Sequence, residues 1–166
     1  MSCTEFASAQ ERAAFTDSDV VQGSLSELKD KQRVLLLVTR GSVIDSRGIG
    51  KSVIADAYKA DPRRTRRYLH AFSIIAQKVN KYIRKYHSIS AVDRIADADY
   101  ILFFNLLEYR RSLGAAYPYG EMYVILNQPP DSKHPPRIVW KAKKVMWAED
   151  AAKEFIKSLK EVRGEK

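Results

Sequence analysis

Gly48-Ile49-Gly50-Lys51-Ser52 ends like a phosphate-binding loop, in which glycine amides cradle phosphates, a lysine reaches the terminal phosphate and a serine hydroxyl holds magnesium. Asp45 stands where the first glycine of that motif belongs, and no downstream apolar strand ends in the aspartate that would complete a magnesium site. The segment reads first as a Gly-rich loop. His70, His87 and His134 fall on separate predicted elements with no pair at metal-ligand spacing. Asp93, Asp97 and Asp99 straddle a predicted helical turn ahead of a strand, where aspartate more often caps backbone amides than holds a cation. Glu108 and Glu121 sit on neighbouring predicted strands and could form a carboxylate pair for acid–base work, yet sheet rims are rich in solvated glutamate. Cys3 is the sole cysteine, which excludes an intrachain disulfide and a cysteine-based zinc site. These residues predict no catalytic group, no metal and no cofactor.

Charge is more informative. The chain carries 29 Lys and Arg against 20 Asp and Glu, net +9, a surface suited to anionic partners. Residues 1–60 hold 8 basic and 8 acidic groups, so the excess lies entirely beyond residue 60, and residues 61–90 alone hold 8 basic groups against one acid. Arg63, Arg64, Arg66 and Arg67 crowd the start of a predicted helix, where cations oppose the macrodipole and call for anionic company, first from Asp61 and other acids of the fold and otherwise from a partner's phosphates or lipid headgroups. Lys78, Lys81, Arg84 and Lys85 follow off its apolar stripe, interleaved with Tyr82 and Tyr86, a mixture seen on nucleic-acid-binding surfaces and also at core edges. These eight cations are the predicted partner-binding residues.

The elements that must position them follow from periodicity. The chain has 166 residues, 45% apolar, enough for one domain with a real core. Its longest apolar runs, such as 34–38 and 100–104, fall far short of the roughly 20 residues of a membrane span. Residues 1–32 read as a flexible leader with one short helix at 24–30, and the folded domain as 33–166. Val34 to Val38 predicts a buried strand and Arg40 to Ser52 a loop. Asp61-Pro62 opens a long helix to Tyr86, with Leu69, Phe72, Ile75, Val79 and Ile83 at spacings of three and four. Strands follow at 89–92, 99–109, 121–126 and 137–145, with a loop at 110–119 and a final amphipathic helix from Ala148. The order β-α-β-β-β-β-α predicts an α/β (α+β) fold: a mixed sheet of four to five strands with two main helices on one face. Leu69, Phe72, Ile75, Val79 and Ile83 are expected to pack on Leu36, Ile101, Phe103 and Trp140, with Phe155 and Leu159 beside them.

The leading strand Arg33-Val-Leu-Leu-Leu-Val38, the Ala98-Asp99-Tyr100-Ile-Leu102 opening of the central strand, Arg137-Ile-Val-Trp140, and the Ala-rich helix ending Phe155-Ile-Lys-Ser-Leu159 give a recognisable layout. It resembles small bacterial envelope modules, among them exported lipoproteins and the globular parts of penicillin-binding-protein activators and curli-secretion lipoproteins. The resemblance implies a noncatalytic module in which Ala-Asp-Tyr and Ile-Val-Trp are fold markers. Ala7-Ser8-Ala9 fits the remnant of an export signal and Cys3 that of a lipid-attachment site, although no charged or apolar stretch precedes them.

The expectation is a noncatalytic binding or structural module of the bacterial envelope, periplasmic if an upstream export signal exists and otherwise cytoplasmic, meeting an envelope protein or an anionic surface. The alternative is a cytoplasmic nucleic-acid-binding domain using the basic helix. The third is a nucleotide-binding enzyme using residues 48–52.

Overall fold

The computed structural model describes residues 21–41, 50–65, 68–128 and 132–166. The protein is α/β, built on a mixed sheet with strand order β2-β1-β3-β4-β5. These are β1 (Arg33–Arg40), β2 (Ser90–Ala91), β3 (Tyr100–Ser112), β4 (Ala115–Leu126) and β5 (Arg137–Lys141). A sixth strand, β6 (Met146–Trp147), pairs with β4 beyond the end of β5. β1 runs parallel to β2 and β3, and the later pairings are antiparallel. The expected 137–145 strand stops at Lys141 and bends before β6, which raises the strand count to six.

Central placement explains the composition of β3. Its residues 100–106 are buried, because β1 and β4 flank it and helices cover both faces. On one face Val34, Val38, Tyr100, Leu102 and Phe104 pack with Ala71, Ile75 and Val79 of α3 (Leu69–Tyr86) and Phe155 and Leu159 of α4 (Ala148–Arg163). The two long helices do share a face. Leu36 and Trp140 pack there as expected, but Ile101 and Phe103 belong to the other side, with Leu35, Leu37, Tyr123 and Ile125. Side chains alternate along a strand, so a shift of one residue exchanges the faces. Leu69, the first residue of α3, is 62% exposed instead of buried.

The opposite face is covered by Val53 and Ala57 of α1 (Gly50–Lys59). This helix begins inside the segment expected to be a loop. The helix expected over 61–86 is divided into α2 (Pro62–Thr65) and α3. Asp61 does cap its start, its Oδ1 accepting from the Arg63 amide at 2.9 Å.

Two further expectations are corrected. Residues 110–119, expected as a loop, are the two arms of a β3–β4 hairpin around a two-residue turn, Leu113-Gly114. Folding also begins before Arg33. Leu28 is fully buried, the Gln22 amide donates to the Ile138 carbonyl at 2.8 Å, and Ser24 and Glu27 form a capping box on the 3-10 turn Leu25–Leu28. Glu27 also pairs with Arg137, so this segment is clipped to β5. Residues 1–20, with Cys3 and Ala7-Ser8-Ala9, lie outside the described residues.

Candidate anion-binding trough

Each long helix has one buried stripe, so its polar residues are forced outward. In α3 the stripe is Ala71, Ile75, Val79 and Tyr82, which leaves Lys78, Lys81 and Lys85 together on a flank. In α4 it is Ala148, Ala151, Ala152, Phe155 and Leu159, which leaves Lys153, Lys157 and Lys160 at intervals of four and three. The helices pack side by side, and their two lysine rows line one open trough of about 580 Å³ that Lys166 also borders. The acids lining it are Glu161 and Glu165.

α4 is neutral along its length, with four basic and four acidic residues, so the cationic trough arises by sorting. Glu154 turns away to accept from the Lys143 amide at 3.0 Å. Glu149 holds the helix-start end of the trough by accepting from Lys78 and Lys153, each at 2.9 Å. Those hydrogen bonds, Lys153 foremost, hold the Glu149 carboxyl below its usual range. At the other end the Tyr86 ring has the Lys85 ammonium at 4.9 Å and the Lys160 ammonium at 5.2 Å from its centre. Hydrogen bonding to Lys160 and then Lys85 lowers the Tyr86 phenol from its ordinary value. Tyr82 is buried beneath and bonded to Glu165, and burial followed by that bond pushes its phenol up to about 12. Lys81 and Lys157 make no ion pair among the described residues.

The eight cations marked by the sequence do not form one surface. Lys78, Lys81 and Lys85 enter the trough, whereas Arg84 borders a different groove on the far side of α3, with Phe72, Ser73 and Asn80. Arg63 stands at a cleft of about 650 Å³ between α3 and the β1–β2 edge, floored by Leu36, Phe72 and Leu102. Arg64 is exposed, 4.0 Å from Asp61. Arg66 and Arg67 lie outside the described residues. Lys153, Lys157 and Lys160 were not among the eight; what the sequence could not display is that they sit opposite Lys78, Lys81 and Lys85.

Four of the remaining candidates, Asp97, Asp99, Glu108 and Glu121, take structural parts. Asp99 Oδ2 accepts from the Gln32 and Arg33 amides at 2.9 Å each, and its Oδ1 accepts from the Arg33 guanidinium at 2.8 Å. Burial works against its charge, but Arg33 and the two amides outweigh it and hold the carboxyl below its ordinary value. Asp99 therefore caps the entry of a strand, not a helix. Asp97 pairs with Arg94 at 2.6 Å, and Glu108 pairs with Arg110. Glu121 is buried, contrary to a solvated rim position, and accepts from the Tyr123 hydroxyl at 3.0 Å. No group of three or more metal-ligating side chains occurs among the described residues, nor any helix long and apolar enough to cross a membrane. Gly50 opens α1, while Gly48 and Ile49 lie outside the described residues.

No protein-family model matches the sequence, and no curated protein does. Among solved structures the chain is similar to the PelC dodecamer from Paraburkholderia phytofirmans, with TM-score 0.37 and 13% identity over 83% of this chain and 90% of that one. It is also similar to a variant of the same PelC dodecamer in another crystal form, with TM-score 0.36 and 12% identity over 81% of this chain and 90% of that one.

Proposed function

We propose that the protein is a noncatalytic binding module of the bacterial cell envelope that meets an anionic partner through the trough between α3 and α4. The observation that carries the anionic partner is the pair of facing lysine rows, three lysines on each helix with Lys166 beside them, against two acids on one lining. What supports the envelope address is the strand, helix and Ala-Asp-Tyr layout described above. What supports a binding role over a catalytic one is that Asp97, Asp99, Glu108 and Glu121 are each engaged with a cation, an amide or a hydroxyl of the fold.

Lysines suit a broad anionic surface better than a planar one, because the ammonium is a point charge without the bidentate fork of arginine. Against anionic headgroups each is worth about 1 kcal/mol. Lys81, Lys85, Lys157 and Lys160, which Glu149 does not neutralise, then give about 4 kcal/mol, a dissociation constant on the order of 1 mM. One trough alone is a weak site, and useful affinity requires a multivalent partner or a second contact.

The nucleic-acid alternative loses part of its support. Tyr82 is 4% exposed and the Tyr86 ring is engaged by two ammonium groups, so neither ring is open for base stacking. The test is a binding panel at low salt: vesicles with anionic lipid, an acidic polysaccharide, and single- and double-stranded oligonucleotides, against the native chain and Lys81→Glu/Lys157→Glu. The proposal expects binding to an envelope-type polyanion that the double substitution abolishes. Preference for oligonucleotides would transfer the assignment to the nucleic-acid reading, and no binding at low salt would remove both.

A further inference from the structure

The four large apolar side chains left exposed among the described residues are Leu69 (62%), Tyr109 (41%), Leu113 (104%) and Tyr117 (40%). They belong to one end of the molecule. Tyr109 and Tyr117 lie on the two arms of the β3–β4 hairpin and Leu113 at its turn, while Leu69 adjoins His70, whose ring stacks on Tyr109 at 6.3 Å and lies tilted to Tyr117 at 6.4 Å.

Leu113 is out of place as a folding residue. It and Gly114 have φ of 49° and 82°, the pair of positive values that marks a type I′ turn, where Asn, Asp and Gly are preferred because other side chains crowd the backbone. A leucine there is strained and gains no burial. Behind it the chemistry changes in order. Arg111 and Arg110 stand two and three residues back on β3, Arg110 directly opposite Tyr117 of β4, and Tyr109 follows one residue further back, opposite Pro118. At about 3.4 Å per residue the arginines lie roughly 7–10 Å behind Leu113, with Tyr117 level with Arg110 and Tyr109 about 14 Å back. The nearby acid, Glu108, is already paired with Arg110, which also stacks over the Tyr119 ring at 3.6 Å, whereas Arg111 is exposed with no ion pair among the described residues.

We infer that the β3–β4 hairpin apex is a wedge that inserts Leu113 into a lipid bilayer carrying anionic headgroups. An apolar tip backed by two arginines, with tyrosines at and just behind their level, matches the acyl boundary and the layer of anionic headgroups in a bilayer interface, where tyrosine rings also sit. A protein partner fits less well, since two leucines and two half-exposed tyrosines offer far less than the roughly 800 Å² per side of a stable protein interface. The wedge is a different surface from the lysine trough and does not depend on it.

The test is co-sedimentation of the full chain with vesicles of phosphatidylcholine containing one part in four of phosphatidylglycerol (about 25%, a working composition for an anionic surface), alongside thermal melts and size-exclusion chromatography. Leu113→Asn should weaken vesicle partition about tenfold or more, leave binding to soluble polyanions unchanged, and keep or raise the melting temperature, because asparagine suits the turn. The inference is overturned if the native chain ignores anionic vesicles, if Leu113→Asn partitions like the native chain, or if it lowers the melting temperature by several degrees. It is equally overturned if the native chain is a dimer that Leu113→Asn dissociates, since a second copy would then be what covers the apex.

Discussion

Asp99 ties the entry of β1 to the entry of β3, and Asp99→Asn isolates the value of its charge. Its Oδ2 accepts two backbone amides, from Gln32 and Arg33, both at 2.9 Å, and its side chain is only 18% exposed. Bonds to a charged acceptor contribute about 1.5–3 kcal/mol each, against about 0.5–1.5 for neutral pairs. Asparagine keeps an acceptor oxygen but removes the charge, so the two amide bonds together should lose about 2 kcal/mol. The Arg33 guanidinium is solvent-exposed and is left out of that figure. In a chain of this length the loss corresponds to a melting temperature lower by about 4–8 °C near neutral pH. The pH dependence has a definite sign. The folded carboxyl is held below its unfolded value, so its contribution is complete above about pH 3.9 and is lost as pH falls through the lower folded value. Thermal and urea melts of both chains, followed by circular dichroism, should show a constant gap from about pH 7 to about pH 4 that closes below. Equal stability near neutral pH, or a gap that persists unchanged well below pH 3, would refute the reasoning.

Phe155 is 1% exposed and stands edge-on to Trp140 at 5.5 Å, so Phe155→Ala should cost about 3–5 kcal/mol in a urea titration. Lys157→Ala, on the same helix but facing the trough, should stay within about 0.5 kcal/mol. Gly120 faces the Asn105 carbonyl across the β3–β4 ladder, where an added Cβ would sit 2.1 Å from that oxygen. Gly120→Ala must therefore push the two central strands apart, and soluble yield with a melt should show a loss of about 1–3 kcal/mol or more, or no folded protein.

The elements with one strong period were legible. The α3 stripe at Ile75, Val79 and Ile83, the continuous apolar run of β3 and the amphipathic α4 each admit one solution, and together they imply a helix pair on a mixed sheet. Facing was harder for β3 because both of its sides are apolar, so nothing in the residues distinguishes Ile101 and Phe103 from Tyr100 and Leu102. The hairpin was hidden by Gly114 and Pro118, which read as loop residues. Pro118 is tolerated because it lies beyond the Tyr119–Gly120 stretch that β6 covers, so its only described strand partner is β3. The Ser24-to-Glu27 capping box was present in a stretch whose polarity argued for a leader. For the site, the sequence marked Lys78, Lys81 and Lys85 and grouped them with Arg63 and Arg84, since linear proximity says nothing about which side of a helix meets a neighbour. Only tertiary packing set the α4 lysines opposite them.

The central claim, that lysines from two helices act as one anion-binding surface, is tested most directly by the salt dependence of binding to a defined polyanion such as length-fractionated inorganic polyphosphate. A plot of log affinity against log salt has a slope set by how many cations the anion engages. Lys81→Ala on α3 and Lys157→Ala on α4 should each reduce that slope by about 1, and Arg84→Ala and Arg63→Ala, on other surfaces, should leave it unchanged. Equal reductions for Arg84→Ala and Arg63→Ala, or a slope that Lys157→Ala does not move, would contradict the account.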